Sequence, residues 1–144
     1  MKKFNLCMAI TFSGISCAQA LTCGHSILND DNAKSCAEDF LTQEAETQTF
    51  LRENGHLGDI KDCQGTQETI PHSYFREDMI DTILKTATVE NCIGDGATYN
   101  CFVNLKQNAC FITQNGTRSK TMRAIIKVET ETGNLHDFYP IKKQ

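Results

Sequence analysis

The residues best suited to chemistry in this 144-residue chain are eight cysteines and four histidines. Cys7 and Cys17 fall within the first twenty residues, so six cysteines remain in the rest of the chain. No two of these six have the CxxC spacing of a zinc site, and Cys23 and His25 are poorly spaced to share one. An even number of cysteines therefore predicts three disulfide bonds, with fifteen pairings left open. The six are Cys23, Cys36, Cys63, Cys92, Cys101 and Cys110.

The histidines carry no recognisable catalytic motif. The sequence contains no G-x-S-x-G, no P-loop, no H-E-x-x-H and no GxGxxG. His136 is followed by Asp137, Phe138 and Tyr139, the one cluster that joins a titratable pair to aromatic rings, and we interpret it as the polar start of a strand. A Ser/His/Asp set could be assembled from many residues, so any such choice needs geometry to support it. His136 and His72 are the catalytic candidates of an alternative hypothesis, a small exported hydrolase or toxin-like enzyme.

The acidic residues do not predict a calcium site. Glu77, Asp78 and Asp81, together with Asp59 and Asp62, lack the twelve-residue ligand spacing of an EF-hand loop. We interpret them as solvated acids and expect neither a metal nor a cofactor.

The first twenty residues have the pattern of a bacterial secretory signal peptide. Lys2 and Lys3 precede an apolar run over 4–15, and Ala18-Gln19-Ala20 supplies the small residues that precede a cleavage site. We expect cleavage after Ala20, with residues 21–144 forming one domain in the periplasm or outside the cell, where disulfides persist. The alternative is a lipid-anchored envelope protein. In that case the box over 13–17 would leave an acylated Cys17, although Gly14 stands where such boxes normally have leucine.

The charge distribution is two-sided. Residues 29–95 hold 15 acidic and 5 basic side chains, whereas residues 96–144 hold 3 acidic and 7 basic ones. Nucleic-acid binding requires a dominant basic surface, so this composition argues against it. After residue 20, no run of apolar residues is long enough to span a membrane.

Hydrophobic periodicity predicts an α+β fold in which two N-terminal helices precede a three- to four-stranded antiparallel meander. The first helix is expected from Asp30 or Asp31 to Asn54-Gly55, and the second from Ser73 to Ala87. Alternating residues predict a strand over 98–106, a shorter one over 109–113, a hairpin turn at Asn115-Gly116 and two further strands. The last strand, over 135–141, contains Pro140 and is expected at a sheet edge because proline cannot donate to a ladder.

One strand face is the candidate binding surface. We expect the third strand to bury Met122, Ala124, Ile126 and Val128 and to expose a basic patch with an apolar centre. The leading hypothesis is a non-catalytic module that binds another protein, acidic at its contact surface: a periplasmic inhibitor, an immunity protein or an accessory subunit of an envelope assembly. The oligomeric state stays open. The patch consists of Arg123, Ile125 and Lys127, with Arg118 and Lys120 at the adjacent hairpin tip.

Mass spectrometry of the exported product distinguishes the soluble from the lipid-anchored hypothesis. We expect the mature chain to begin at Leu21 and to weigh about six hydrogen masses less than the reduced chain, because three disulfides remove six hydrogens. An acylated Cys17 at the N-terminus would contradict the first expectation. Free thiols or bound zinc in the native product would contradict the second.

Overall fold

The computed structural model describes residues 21–59, 63, 70 and 72–142. It confirms the α+β class: α1 and α3 pack on one face of a four-stranded antiparallel sheet of order β3-β4-β5-β6, and α2 packs against these helices. A short parallel pair, β1 with β2, forms a separate small sheet, and its β2 contacts β4. The elements are α1 (Asp30–Thr42), α2 (Glu44–Glu53), β1 (Leu57–Gly58), β2 (Phe75–Arg76), a 3₁₀ turn (Glu77–Met79), α3 (Ile80–Thr86), β3 (Thr88–Gly94), β4 (Thr98–Ile112), β5 (Arg118–Glu129) and β6 (Leu135–Ile141).

The first predicted helix is two helices, so the prediction of one continuous helix was wrong. The Asn29 side chain, rather than Asp30 or Asp31, caps α1 by accepting the Asn32 N–H at 2.9 Å. The helix breaks at Gln43, which has φ −89° and ψ 68°. Beyond the break, the buried Thr47 hydroxyl donates to the Phe40 carbonyl at 2.6 Å. The Thr47 hydroxyl thus takes the place of a backbone N–H as the donor to this carbonyl. The helix break therefore leaves few unpaired polar groups in the core.

The second predicted helix begins later than its apolar stripe suggested. Tyr74 forms an antiparallel bridge with Cys110, and Phe75 and Arg76 pair with Leu57 and Gly58. These pairings hold the backbone extended, so helical structure begins only at Glu77. The residues from Ser73 to Arg76 therefore belong to strand-like structure, and this part of the helix prediction was wrong.

The long strand β4 joins two predicted strands into one. It pairs with β5 on both sides of an irregularity between Asn104 and Ala109, where Lys106 has φ 65°. A bulge of this kind bends a strand and increases its local twist. On its other edge, β4 pairs with β3 before the bulge and with Tyr74 after it.

The predicted edge position of the last strand is confirmed. Among the described strands, β6 pairs only with β5 and ends the sheet. Its Phe138 N–H donates to the Asp137 carboxylate at 2.9 Å, and Pro140 has no N–H to offer. Both features reduce the tendency of an edge strand to recruit another strand.

The core lies between the helices and the inner face of the sheet. Its fully buried members include Phe40 and Leu51 from the helices, and Phe75, whose ring centroid lies 4.9 Å from that of Phe138. Burying each such side chain contributes about 1.5–3 kcal/mol relative to leaving it exposed.

Of the residues expected to be buried on β5, Ala124, Ile126 and Val128 are buried, but Met122 is 48% exposed. Met122 lies opposite the β4 bulge, where the alternation of the strand is interrupted.

The three predicted disulfides are present, and each joins a peripheral segment to the body of the fold. Cys23–Cys36 links the N-terminal segment to α1, Cys63–Cys110 links the connection before β2 to β4, and Cys92–Cys101 joins directly opposed residues of β3 and β4. The sequence separations are 13, 47 and 9 residues.

Removing the disulfides one pair at a time should lower the free energy of unfolding by amounts that depend on the length of the loop each disulfide closes. Replacing Cys63 and Cys110 with alanine should cost about 4 kcal/mol of unfolding free energy, compared with about 2.5 kcal/mol for Cys92 and Cys101, because the longer loop loses more unfolded-state entropy when closed. Urea unfolding of the two double variants measures the difference. Equal losses, or the reverse order, would show that chain entropy does not dominate their effect.

Candidate functional site

The face of the sheet opposite the helices is the first candidate surface; we call it the outer face. Cα pairing places Phe102, Ile125 and Tyr139 side by side across β4, β5 and β6. In the next row, Lys127 lies opposite Asp137. The inner-face residues of the same strands join the helices in the core, so these rows point to the other side of the sheet.

The cations of the predicted basic patch are partly neutralised within the fold. Arg123 forms an ion pair with Glu90, and the Lys127 ammonium lies 5.8 Å from the centroid of the Tyr139 ring. Lys120 is exposed on β5. Ile125 is only 7% exposed, so it does not provide the open apolar centre that the strand pattern predicted. It lies between Phe102 and Tyr139 in the row, and the involvement of this patch in binding stays a prediction.

Arg118 lies at the base of the hairpin between β4 and β5 and contacts residues outside it. Its guanidinium donates to the Ile70 carbonyl and lies 5.9 Å from the centroid of the fully buried Tyr74 ring. Burial raises the pKa of the Tyr74 hydroxyl, and the Arg118 charge opposes that shift. These contacts make Arg118 a residue with a structural role, in addition to any part in binding.

A buried histidine–aspartate pair is the main electrostatic feature that the sequence did not reveal. His56, 8% exposed, directs Nδ1 at the Ser73 carbonyl oxygen at 2.6 Å and Nε2 at the Asp137 carboxylate at 3.3 Å. A neutral imidazole has one N–H, whereas the imidazolium can donate to both acceptors at once. The His56 ring also stacks on Tyr139, with centroids 5.6 Å apart and an interplanar angle of 29°.

The environment of Asp137 favours its carboxylate form. Burial alone would raise its pKa, but hydrogen bonds from His56 and the Phe138 N–H, with the charges of His56 and His136, lower the pKa below its ordinary value. The sequence drew attention to Asp137 through its neighbour His136, yet its close partner is His56. No local spacing signals that pairing, because the two residues lie 81 positions apart.

The two histidines named as catalytic candidates lie at the periphery of this pair. His136 is exposed and its Nδ1 is 3.2 Å from the Glu129 carboxylate, while the exposed His72 has its ring centroid 5.6 Å from that of His56. All six cysteines from residue 21 onward are in disulfides. Within the ranges that the structure describes, no cluster of three or more histidine, cysteine, aspartate or glutamate residues is arranged to hold a metal ion.

A groove of about 920 Å³ separates the end of the β4–β5 hairpin from the second half of β6; we call it the hairpin groove. Ser73 forms part of its wall and is held on two sides, because its hydroxyl accepts the Ile112 N–H at 3.0 Å and its carbonyl accepts from His56. The His56–Asp137 pair therefore supports two groove residues, Ser73 and Tyr139. The lining used below consists of Ser73, Phe111, Gln114, Ser119, Tyr139 and Ile141.

Comparison of the chain with protein-family models, with curated proteins and with solved structures finds no match. Within the described part of the chain, no helix is both long and apolar enough to cross a membrane. Function must therefore be argued from the surfaces described above.

Changing Asp137 to asparagine should lower stability in a pH-dependent way. A carboxylate whose folded pKa is depressed stabilises the fold above its unfolded pKa of about 3.9, and the contribution is lost as pH falls through the lower folded value. We expect Asp137→Asn to lose about 1–2 kcal/mol at pH 6 in urea unfolding, with the difference from wild type shrinking below about pH 4. Glu131→Gln, at an exposed position, is the control and should change little. A loss that stays constant down to pH 3 would contradict an electrostatic origin.

Proposed function

We propose that this chain is an exported, non-catalytic module that binds another protein through the outer face of its sheet. The observation that carries the proposal is that this face lies away from the helices yet displays aromatic and aliphatic side chains beside charged ones. Ile93 is 56% exposed, and a cavity of about 350 Å³ lies between it, Phe102 and Ile141. An apolar centre with a charged rim is the usual organisation of protein–protein contact surfaces.

The ion pair between Arg123 and Glu90 forms part of the rim of this cavity. With Lys127, it gives the face both signs of charge, which favours specific recognition over general attraction to acidic molecules. An acidic segment of the partner would be placed beside Lys127, one of the cations that the sequence-based hypothesis names.

Two observations support a binding function over catalysis, and a third supports export from the cytoplasm. The ring nitrogens of His56 face Ser73 and Asp137, so neither is directed at a substrate. His72 and His136 are exposed. The cysteine sulfurs of the described residues are bonded in disulfides and are not free to act as nucleophiles. Disulfides of this number are typical of proteins that fold in an oxidising compartment, in agreement with the predicted signal peptide.

A photo-crosslinking amino acid at Ile93 should capture a discrete partner from an extract of the cell envelope. The same group at Leu28, an aliphatic residue that is 79% exposed, is the matched control because it lies before α1, outside the sheet. We expect a crosslinked protein band from the Ile93 position alone. Bands of equal intensity from both positions would argue against the outer face as the contact surface.

Charge reversal tests the same surface independently. Arg123→Glu with Lys127→Glu should abolish capture while lowering the melting temperature by no more than about 4 °C, because a partly exposed ion pair contributes at most about 1 kcal/mol. Lys34→Glu with Lys85→Glu, on α1 and α3, is the matched control and should leave capture intact. Capture that survives reversal on the outer face would overturn the proposal.

A further inference from the structure

We propose that the hairpin groove is a second binding site and that its ligand is a short, uncharged oligosaccharide. The hairpin groove adjoins the outer face and shares Tyr139 and Ile141 with it, but the proposed ligand belongs to a different class from the protein partner proposed above. Its volume of about 920 Å³ lies within the range of small-molecule sites, about 300–1,000 Å³.

The chemistry of the groove lining selects for a neutral, hydroxyl-rich ligand. Gln114 and Ser119 are exposed, and neither side chain is hydrogen-bonded to another residue that the structure describes. Amide and hydroxyl groups of this kind both donate and accept, as sugar hydroxyls do. Among the described residues that line the groove, Lys142, directly after β6, is the one with a formal charge, so a strongly charged ligand would find little compensation from them.

Two aromatic rings line the site, and Phe111 is the one available for stacking because His56 and Lys127 already lie against the ring of Tyr139. Phe111 and Tyr139 are half-buried and line the groove from β4 and from β6. A sugar ring has faces covered by C–H groups, which can pack on an aromatic face while the hydroxyls at its edge reach polar side chains. The stacking of His56 on Tyr139 and the double anchoring of Ser73 hold this arrangement in place without a ligand.

The backbone of β6 argues against a polypeptide as the occupant. An extended peptide gains affinity by adding a strand to a free sheet edge. The groove-side half of β6 is poorly suited to that mode, because Phe138 donates its N–H to Asp137 and Pro140 has no N–H. Recognition in the groove must therefore come from side chains, which suits a glycan.

Titration of the isotopically labelled, oxidised chain with saccharides tests the proposal. The probes are the β-1,4-linked tetramer of N-acetylglucosamine and maltotetraose, each up to about 10 mM, the range in which weak single-site affinities are measurable. We expect at least one neutral tetramer to shift the backbone amide signals of Phe111, Gln114 and Ser119 in a saturable way. An anionic tetragalacturonate and a neutral Ser/Gln/Gly hexapeptide are the comparison ligands and should bind at least about tenfold more weakly.

Two half-buried phenylalanines of β4 provide a matched pair of variants. Phe111→Ala should weaken saccharide binding about tenfold through loss of one aromatic surface, whereas Phe102→Ala, on the outer face, should leave it within about twofold. If Phe111→Ala does not fold, Gln114→Ala with Ser119→Ala, at exposed positions, should weaken binding several-fold in an intact domain.

Four results would overturn the inference: no saturable shift with either neutral tetramer, shifts confined to residues outside the groove, equal binding of the hexapeptide, or saccharide binding that the groove variants leave unchanged. Each result is independent of protein capture by the outer face. The two proposals share Tyr139 and Ile141, but their tests change different residues, Phe111, Gln114 and Ser119 here and Ile93, Arg123 and Lys127 above, so that failure of one is distinguishable from failure of the other.

Discussion

The antiparallel ladder between β4 and β5 is the constraint on which the remaining structure depends. Before its bulge, β4 pairs with β3, holds one disulfide through Cys101 and offers its inner face to the helices. After the bulge, it pairs with Tyr74 and holds a second disulfide through Cys110. The change of register between the two halves turns the hairpin end relative to the rest of the sheet, since a bulge bends the strand that carries it. Met122 lies opposite this irregularity and is exposed. The hairpin groove lies on the hairpin side of the same irregularity.

The electrostatics of the domain follow from pairing across elements rather than from charge totals. The acidic first half and the basic second half of the domain meet in the ion pair of Glu90 with Arg123, whereas in the contact of His56 with Asp137 the acid comes from the second half. The surface at Arg123 and Lys127 is therefore mixed in sign, unlike the basic patch that the strand sequence alone indicated. A mixed surface recognises the arrangement of charge on a partner, whereas a uniformly basic one attracts acidic molecules in general.

Sequence reasoning found most of the elements but few of the groups that surround the candidate sites. The class of fold, an antiparallel meander and the edge position of β6 were predictable because alternation, Asn-Gly and Pro140 act locally, but β3 (Thr88–Gly94) was not predicted. The break at Gln43 was not, because it depends on the buried Thr47 hydroxyl reaching the Phe40 carbonyl. Asp137 stood out in the sequence, but His56 did not, since nothing near it shows that it will lie beside β6. The burial of Ile125 likewise depends on its cross-strand neighbours, Phe102 and Tyr139.

By itself, the sequence determined the class of fold, the number of disulfides and the strand that must lie at an edge. These properties arise from interactions over a few residues, or from counting thiols in a chain expected to fold under oxidising conditions. Only the tertiary structure decided which cysteines pair, which charges neutralise one another and which aromatic rings line a groove. Such choices depend on distances between residues far apart in the chain. A single irregularity in one strand changes those distances without leaving a periodic signal in the sequence.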